Sequence, residues 1–208
     1  MKTTIYLIRH AESVANKAGI FRGVTDDPLS ENGRQQAEDL ANRLSNVRVD
    51  AIYASILQRA SQTIMPFAKR RNKEITIEKG LQEIFVGTWE NVMYNELKVK
   101  FPKVTKYIEE TGFHTGIEGQ EETENVASRM LKSLERISKK NIGKTIIVVS
   151  HHQSIRAFLC KIEKILYEQI MQKIGDIPNT GITEVEYDAK SKKFLLKGLG
   201  MMKVDKND

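Results

Sequence analysis

Two short apolar runs in this chain end in the same way, with a histidine just beyond the last β-branched residue. Residues 5–8 are followed by Arg9 and His10, and residues 146–149 lead through a serine into His151. Apolar runs of this length are typical of strands that are buried on both faces of a sheet. Because ligands bind beyond the carboxyl ends of strands in open α/β sheets, the repeated ending predicts that both histidines lie at one edge of one sheet.

The remaining sequence alternates between strand-like and helix-like patterns. Apolar residues recur at helical spacing after Ser30 and after Ser55, and each serine stands where a helix N-cap is expected. A third amphipathic stretch covers residues 121–138. Further strands are predicted at residues 49–54, 74–77, 182–187 and 194–199. This alternation predicts an α/β fold, a three-layer α/β/α sandwich with a mostly parallel central sheet.

The length of 208 residues suits one α/β domain, so a single domain over residues 1–208 is expected. Residues 90–120 are its least regular part and predict a lid-like excursion over the site. The only cysteine, Cys160, cannot form an internal disulfide, and no apolar run is long enough for a signal peptide or a membrane span. These features indicate a cytoplasmic protein without a membrane partner.

The net charge of +6 is spread over several short basic clusters. Nucleic-acid binding would favour basic residues interleaved with aromatic ones, or a known module, and neither occurs, so no nucleic-acid partner is expected. A mildly positive field favours encounters with small phosphorylated or carboxylated molecules. The sequence does not fix the oligomeric state, and a homodimer is compatible with it.

The two strand ends bring together residue types that bind phosphate. Arginine reads phosphate through a planar fork of donors, and histidine acts as nucleophile or base near neutral pH. Arg59 is expected near the carboxyl end of a strand, where it can join Arg9, His10 and His151. Taken singly, these residues also suit structural hydrogen bonds or ion pairs, but together they predict a phosphate-handling site. Zinc would need three or four ligands at characteristic spacing, and adjacent arginines would repel a cation, so no metal or cofactor is expected.

Six segments, in the same order, resemble signature motifs of the histidine phosphatase superfamily, also called the phosphoglycerate mutase-like family. They are LIRHAESVAN, DDPLSENGRQQAEDLA, AIYASILQRASQT, LQEIFVGTWE, EGQEETENVASR and IIVVSHHQSIR, and they extend over nearly the whole chain. The chain departs from the family pattern at Ala11 and His152, which replace glycines, and at Arg22, which replaces a glutamine or threonine.

The resemblance implies a metal-independent phosphomonoesterase that acts on a small phosphorylated metabolite. His10 would accept the phosphoryl group and become a phosphohistidine, and Glu83 would protonate the leaving oxygen. Arg9, Arg59 and His151 would bind the phosphoryl oxygens. Substrate-binding roles are expected for Asn16, Arg22, Gly23 and His152. Arg22 is either a ligand for a second anionic group of the substrate or a surface arginine.

A mutase is the alternative activity within the same family. Mutases that use 2,3-bisphosphoglycerate resemble one another in carrying an arginine directly after the catalytic glutamate. Here Ile84 follows Glu83, and residues 90–119 contain lysines but no arginine, which favours the phosphatase. A non-catalytic member that only binds phosphorylated ligands would be expected to lack His10, Glu83 or His151, and all three are present.

Overall fold

The computed structural model describes residues 1–202 and contains one large and one small sheet. The strands are β1 (Lys2–Arg9), β2 (Ile20–Phe21), β3 (Ala51–Ser55), β4 (Ile75–Glu78), β5 (Val92–Met93), β6 (Thr145–Ser150), β7 (Ile182–Asp188) and β8 (Lys193–Met201). The large sheet has the order β4-β3-β6-β1-β7-β8, and β2 pairs with β5 in the small one. Strands β4, β3, β6 and β1 are parallel, whereas β7 and β8 extend the sheet in antiparallel pairing.

Helices cover both faces of the large sheet. They are α1 (Val14–Ala18), α2 (Glu31–Arg43), α3 (Gln58–Arg70), α4 (Tyr94–Lys100), α5 (Pro102–Thr111), α6 (Thr123–Lys140), α7 (His152–Glu163) and α8 (Ile170–Lys173). Strand β1 is buried on both sides: Ile5 and Leu7 pack into the core under α6 and α7, and Tyr6 and Ile8 into the core under α2 and α3. The predicted α/β/α sandwich with a mostly parallel sheet is therefore confirmed.

Strands β1 and β6 are neighbours and end in register. Ile8 pairs with Val149 and Arg9 with Ser150, so the residues that follow both strands emerge at the same edge. The backbone N–H of His10 continues the ladder by donating to the carbonyl of Ser150 at 3.0 Å. The histidines that follow the two apolar runs, His10 and His151, therefore lie at the same edge of the sheet.

Of the two predicted serine N-caps, one is correct and one is wrong. Ser30 caps α2, and its hydroxyl accepts from the N–H of Gly33 at 2.9 Å. Gly33 allows this turn to lie against the loop after β1, since a Cβ there would lie 1.9 Å from the carbonyl oxygen of Glu12. Ser55 instead ends β3, and α3 begins only after Leu57, which makes no side-chain cap. Ser55 is free for another partner because two residues separate it from the helix.

The segment 90–120 is more helical than the sequence pattern indicates. The helical piece expected at its start is α4, but α5 follows at once, with Pro102 fixing its first turn. Its Ile108 joins Ile84, Val86 and Trp89 in a separate apolar cluster. Among residues 1–202 no helix is both long and apolar enough to cross a membrane.

Candidate active site

A cavity of about 270 Å³ opens where β1 and β6 end. Five separate parts of the chain line it: residues 9–27, Arg59, residues 83–86, residues 94–114 and residues 152–171. The third of these parts follows β4, and the fourth includes α4 and α5. The chain has four histidines; three line this cavity, and the fourth, His151, lies directly behind His10.

His10 is held in one protonation state and one orientation. It is 5% exposed, and its Nδ1 donates to the carbonyl of Ala11 at 2.7 Å. Its own carbonyl accepts from Asn179 Nδ2 at 2.7 Å. Burial, together with the charges of Arg59 and Arg9, holds the pKa of His10 well below its usual value. The imidazole is therefore neutral, with its proton on Nδ1 and a free lone pair on Nε2.

Two arginines flank His10, the buried Arg59 and the partly buried Arg9. Arg59 reaches the site from the first turn of α3 and is 2% exposed. Its Nη1 donates to Asp27 Oδ1 at 3.0 Å and to the carbonyl of Thr25 at 3.1 Å, and its Nη2 donates to the carbonyl of Gly23 at 2.7 Å. Arg9 donates from Nη1 to the carbonyl of Ile177 at 2.6 Å. Both guanidiniums are thereby fixed at the cavity wall.

His151 is fully buried beside His10, with the ring centroids 5.0 Å apart. Its Nε2 lies 2.8 Å from Ser55 Oγ, the hydroxyl that does not cap α3. Its Nδ1 is buried and has no partner among the described residues. Burial and the charge of Arg59 hold its pKa well below the usual value, so His151 is neutral as well.

Glu83 lies at the N-terminus of α7. It is 6% exposed, and its Oε1 accepts from the N–H of Ser154 at 3.0 Å and from the N–H of Ile84 at 2.9 Å. The hydroxyl of Ser154 lies 3.1 Å from the same oxygen but donates at 2.6 Å to the carbonyl of Gln82. Among the described residues, its Oε2 accepts from the N–H of Gln153 alone, at 3.1 Å. A helix N-terminus stabilises a carboxylate. Oε1 thus accepts from two backbone N–H groups and Oε2 from one, so Oε2 is the less engaged oxygen of the carboxylate.

Of the four residues expected to bind substrate, three line the cavity and Gly23 does not. Asn16, Arg22 and His152 line the cavity, where Asn16 is exposed and His152 is held by a 2.7 Å contact from Nε2 to Asp176 Oδ1. Gly23 lies behind Arg59, and its N–H donates to Glu90 Oε1 at 3.0 Å. Its amide is therefore used within the protein, and a direct contact of Gly23 with substrate stays a prediction.

Among the cavity-wall residues that the sequence did not mark, three carry polar side chains on or near α7: His114, Gln153 and Arg156. Arg156 interrupts the apolar run of α7, and an arginine in such a setting is a signal of a buried cation. His114 lies in the irregular segment before α6, where no pattern marks it. Burial lowers its pKa to about 3, so it is neutral too. Within residues 1–202 no three His, Cys, Asp or Glu side chains group together as metal ligands.

The family model described as "Histidine phosphatase superfamily (branch 1)" matches residues 5–199. Phosphoserine phosphatase 1 of Hydrogenobacter thermophilus is 35% identical over 156 residues, covering 75% of this chain and 74% of that protein. Phosphoglycerate mutase-like protein 4 of Arabidopsis thaliana is 31% identical over 184 residues, covering 86% of this chain and 76% of that protein.

A solved structure of phosphoserine phosphatase from Entamoeba histolytica, in complex with 3-phosphoglyceric acid, has the same fold. It is 28% identical, with a TM-score of 0.78 over 94% of this chain and 95% of that one. The family, the fold and the hydrolase activity expected from the sequence are confirmed by these matches. This chain is thus a member of the histidine phosphatase superfamily, with the activity of a phosphomonoester hydrolase.

Proposed function

We propose that this hydrolase cleaves small phosphorylated metabolites without a metal ion, through a phosphohistidine at His10, with Glu83 as the proton donor. One observation carries the proposal: the hydrogen bond from His10 Nδ1 to the carbonyl of Ala11, which leaves Nε2 unprotonated beside the charges of Arg59 and Arg9. A neutral imidazole with a free lone pair is the reactive form of a histidine nucleophile.

In the first step, Nε2 of His10 attacks phosphorus, an N–P bond forms and the P–O bond to the leaving group breaks. The proton on Glu83 Oε2 passes to the leaving oxygen. Arg9 and Arg59 stabilise the negative charge on the equatorial oxygens, and His151 donates a hydrogen bond from Nδ1 to one of these oxygens. Because these donors are held before substrate arrives, little reorganisation is needed during the reaction.

In the second step, water attacks the phosphohistidine. The carboxylate of Glu83 takes the water proton as the N–P bond breaks, which releases phosphate. His10 returns to its neutral form with Nδ1 still donating to Ala11. General acid–base catalysis of this kind contributes about 10²–10⁴-fold to the rate.

Two observations support hydrolysis rather than mutase chemistry. The side chain of Ile84 is 2% exposed and packs with Val86 and Trp89, so the residue after Glu83 offers no contact to a substrate carboxylate. On the helices α4 and α5, Lys98 pairs with Glu109 at 2.6 Å and Lys106 with Glu110 at 3.8 Å. Among the described residues no lysine lines the cavity.

The names and ligands of the relatives indicate the general class of the substrate. A relative named phosphoserine phosphatase and a related structure holding 3-phosphoglyceric acid favour a phosphorylated amino or hydroxy acid for this chain too. The cytoplasmic location and the homodimer stay predictions.

The variant Glu83→Gln tests the role of the acid. With phenyl phosphate, whose leaving group is poor, we expect the phosphorylation rate to fall about 10²–10⁴-fold. With 2,4-dinitrophenyl phosphate the fall should be much smaller, because that leaving group needs no proton. Single-turnover kinetics on both substrates measures the step, and Glu110→Gln, an exposed carboxylate of α5, is the matched control. Equal losses on both substrates would contradict the acid role, and mutase turnover of 3-phosphoglycerate above hydrolysis would contradict the phosphatase assignment.

A further inference from the structure

Arg156 is a buried cation without a counter-ion at the cavity wall. It lies on α7, is 1% exposed and lines the cavity. Within residues 1–202 its buried Nε and Nη2 make no hydrogen bond, and no carboxylate forms an ion pair with it. A buried charge without a partner is costly, so an arrangement of this kind needs a reason in the function of the site.

The surrounding residues make room for the guanidinium without neutralising it. Gly112 ends α5 with a φ of 71°, and a Cβ at that position would lie 2.1 Å from Arg156 Nη2. Any side chain there would push the guanidinium out of place. The acidic residue that acts on Arg156 most strongly, Asp176, is instead hydrogen-bonded to His152 at 2.7 Å. The positive charge is therefore free to meet an anion that enters the cavity.

The distance from the reacting atoms limits what this anion can be. Gln153 donates its N–H to Glu83 Oε2, the oxygen assigned to the leaving group. Arg156 follows Gln153 by three residues, so it lies on the same side of α7, about one turn of roughly 5 Å away. An anionic group a few bonds from the ester oxygen can reach it, while the phosphoryl group itself is held by Arg9 and Arg59.

The other walls of this part of the cavity are uncharged. Phe21 packs on His114 with the ring centroids 5.3 Å apart, and Tyr94 stacks on Phe21 at 5.8 Å. His114 is neutral because burial lowers its pKa, and its Nε2 lies 2.8 Å from Gln153 Nε2. A guanidinium among such groups binds a carboxylate more strongly than one in water, since the local dielectric is low.

We propose that Arg156 is the specificity-determining residue of this enzyme, and that it binds a carboxylate on the carbon chain of the substrate leaving group. The inference rests on the proposed function, because it assumes that the phosphoryl group occupies the site around His10. It assigns the second anionic contact to Arg156 rather than to Arg22, which is half-buried at the cavity and donates to the carbonyl of Asp26 at 3.4 Å.

The test compares O-phosphoserine with O-phosphoethanolamine, which differ only in the carboxylate. For Arg156→Met we expect kcat/KM on O-phosphoserine to fall about 10- to 100-fold, which is the size expected for the loss of a charge-assisted hydrogen bond. The fall should come mainly from a higher KM. Activity on O-phosphoethanolamine should change little. The thermal midpoint of the ligand-free variant should be equal or higher, because methionine replaces an unpaired buried charge with an apolar group of similar size.

The matched control is Arg136→Met, which removes an equally positive but exposed side chain of α6 that pairs with Glu78 at 2.6 Å and does not line the cavity. It should leave both substrates unaffected. Equal losses of Arg156→Met on both substrates together with a lower thermal midpoint would show a structural arginine and overturn the inference. A selective loss in Arg22→Met instead would move the role to that residue. If the unaltered enzyme hydrolysed neither substrate nor p-nitrophenyl phosphate, the proposed function itself would fail, which is a separate result.

Discussion

The two neighbouring histidines of the site differ in which ring nitrogen carries the proton. His10 donates from Nδ1 to the carbonyl of Ala11. Ser55 Oγ accepts from the N–H of Leu57 at 3.3 Å, and its own buried proton has His151 Nε2 as acceptor. The proton of His151 is then on Nδ1, the atom that lacks a partner among residues 1–202. One histidine thus has a lone pair on its free nitrogen, and the other has a donor there.

Removing the hydroxyl of Ser55 should disturb this arrangement. In Ser55→Ala we expect kcat/KM to fall about 10- to 100-fold, because His151 loses the hydrogen bond that fixes its tautomer and ring orientation. Steady-state kinetics measures the loss, and ¹⁵N chemical shifts of the imidazole report the tautomer.

The control for Ser55→Ala is Ser61→Ala, whose hydroxyl donates to the carbonyl of Gln58 within α3 and has no link to the site. It should keep full activity. The assignment of Ser55 would be contradicted if the tautomer of His151 changed without any loss of activity, or if both variants lost activity equally.

At the scale of elements, a single carboxylate organises the loop that holds Arg59. Glu90 follows the short turn Gly87–Trp89, and its Oε1 accepts from the N–H groups of Gly23 and Val24 at 3.0 and 2.9 Å. Its Oε2 accepts from the Thr25 hydroxyl at 2.7 Å. The carbonyls of Gly23 and Thr25 then hold Arg59. Glu90 is therefore a positioning residue that acts on the phosphate site through the loop.

We expect Glu90→Gln to weaken both the loop and phosphate binding. The amide nitrogen of glutamine cannot accept hydrogen bonds, so donors of the loop lose their partner, at a cost of about 1–3 kcal/mol in the free energy of unfolding. The affinity for inorganic phosphate should fall about 10-fold or more, as measured by calorimetry. Glu96→Gln, an exposed carboxylate on α4 that pairs with Lys100 at 3.7 Å, is the control. A less stable variant with unchanged phosphate affinity would contradict the positioning role.

Elements with a strong local signal could be predicted from the sequence, and elements without one could not. The buried strands β1 and β6 and the capped helix α2 follow from apolar runs, helical spacing and Ser30. Helix α5 was missed because its ten residues include few apolar ones, and its stability depends on packing against Ile84 and Trp89 from elsewhere. The N-cap prediction for Ser55 failed because a buried histidine offers that hydroxyl a better partner than the helix start.

The same distinction holds for the site. Arg9, His10, His151, Arg59 and Glu83 each stand in a motif or beside a strand end, so the sequence could mark them. Arg156, His114 and Glu90 reach the site through contacts between distant segments, and only the folded chain brings those segments together.

For the molecule as a whole, the cavity is a positively charged pocket. Four arginines line it against the carboxylates of Asp27 and Glu83. Burial lowers the pKa of Arg9, Arg59 and Arg156, the last to about 10, so all three stay charged near neutral pH. Ligands that neutralise this charge should stabilise the folded protein. The moderate net charge of +6 on the whole chain adds a weaker, long-range attraction.

The most direct test of the mechanism is a search for the covalent intermediate. Enzyme mixed with 2,4-dinitrophenyl phosphate, quenched in base within one turnover and digested, should yield a peptide that carries one phosphoryl group on His10. In His10→Asn neither the labelled peptide nor turnover should be detectable, while circular dichroism shows an unchanged fold. A phosphoryl group on a different residue, or full turnover by His10→Asn, would contradict the phosphohistidine mechanism.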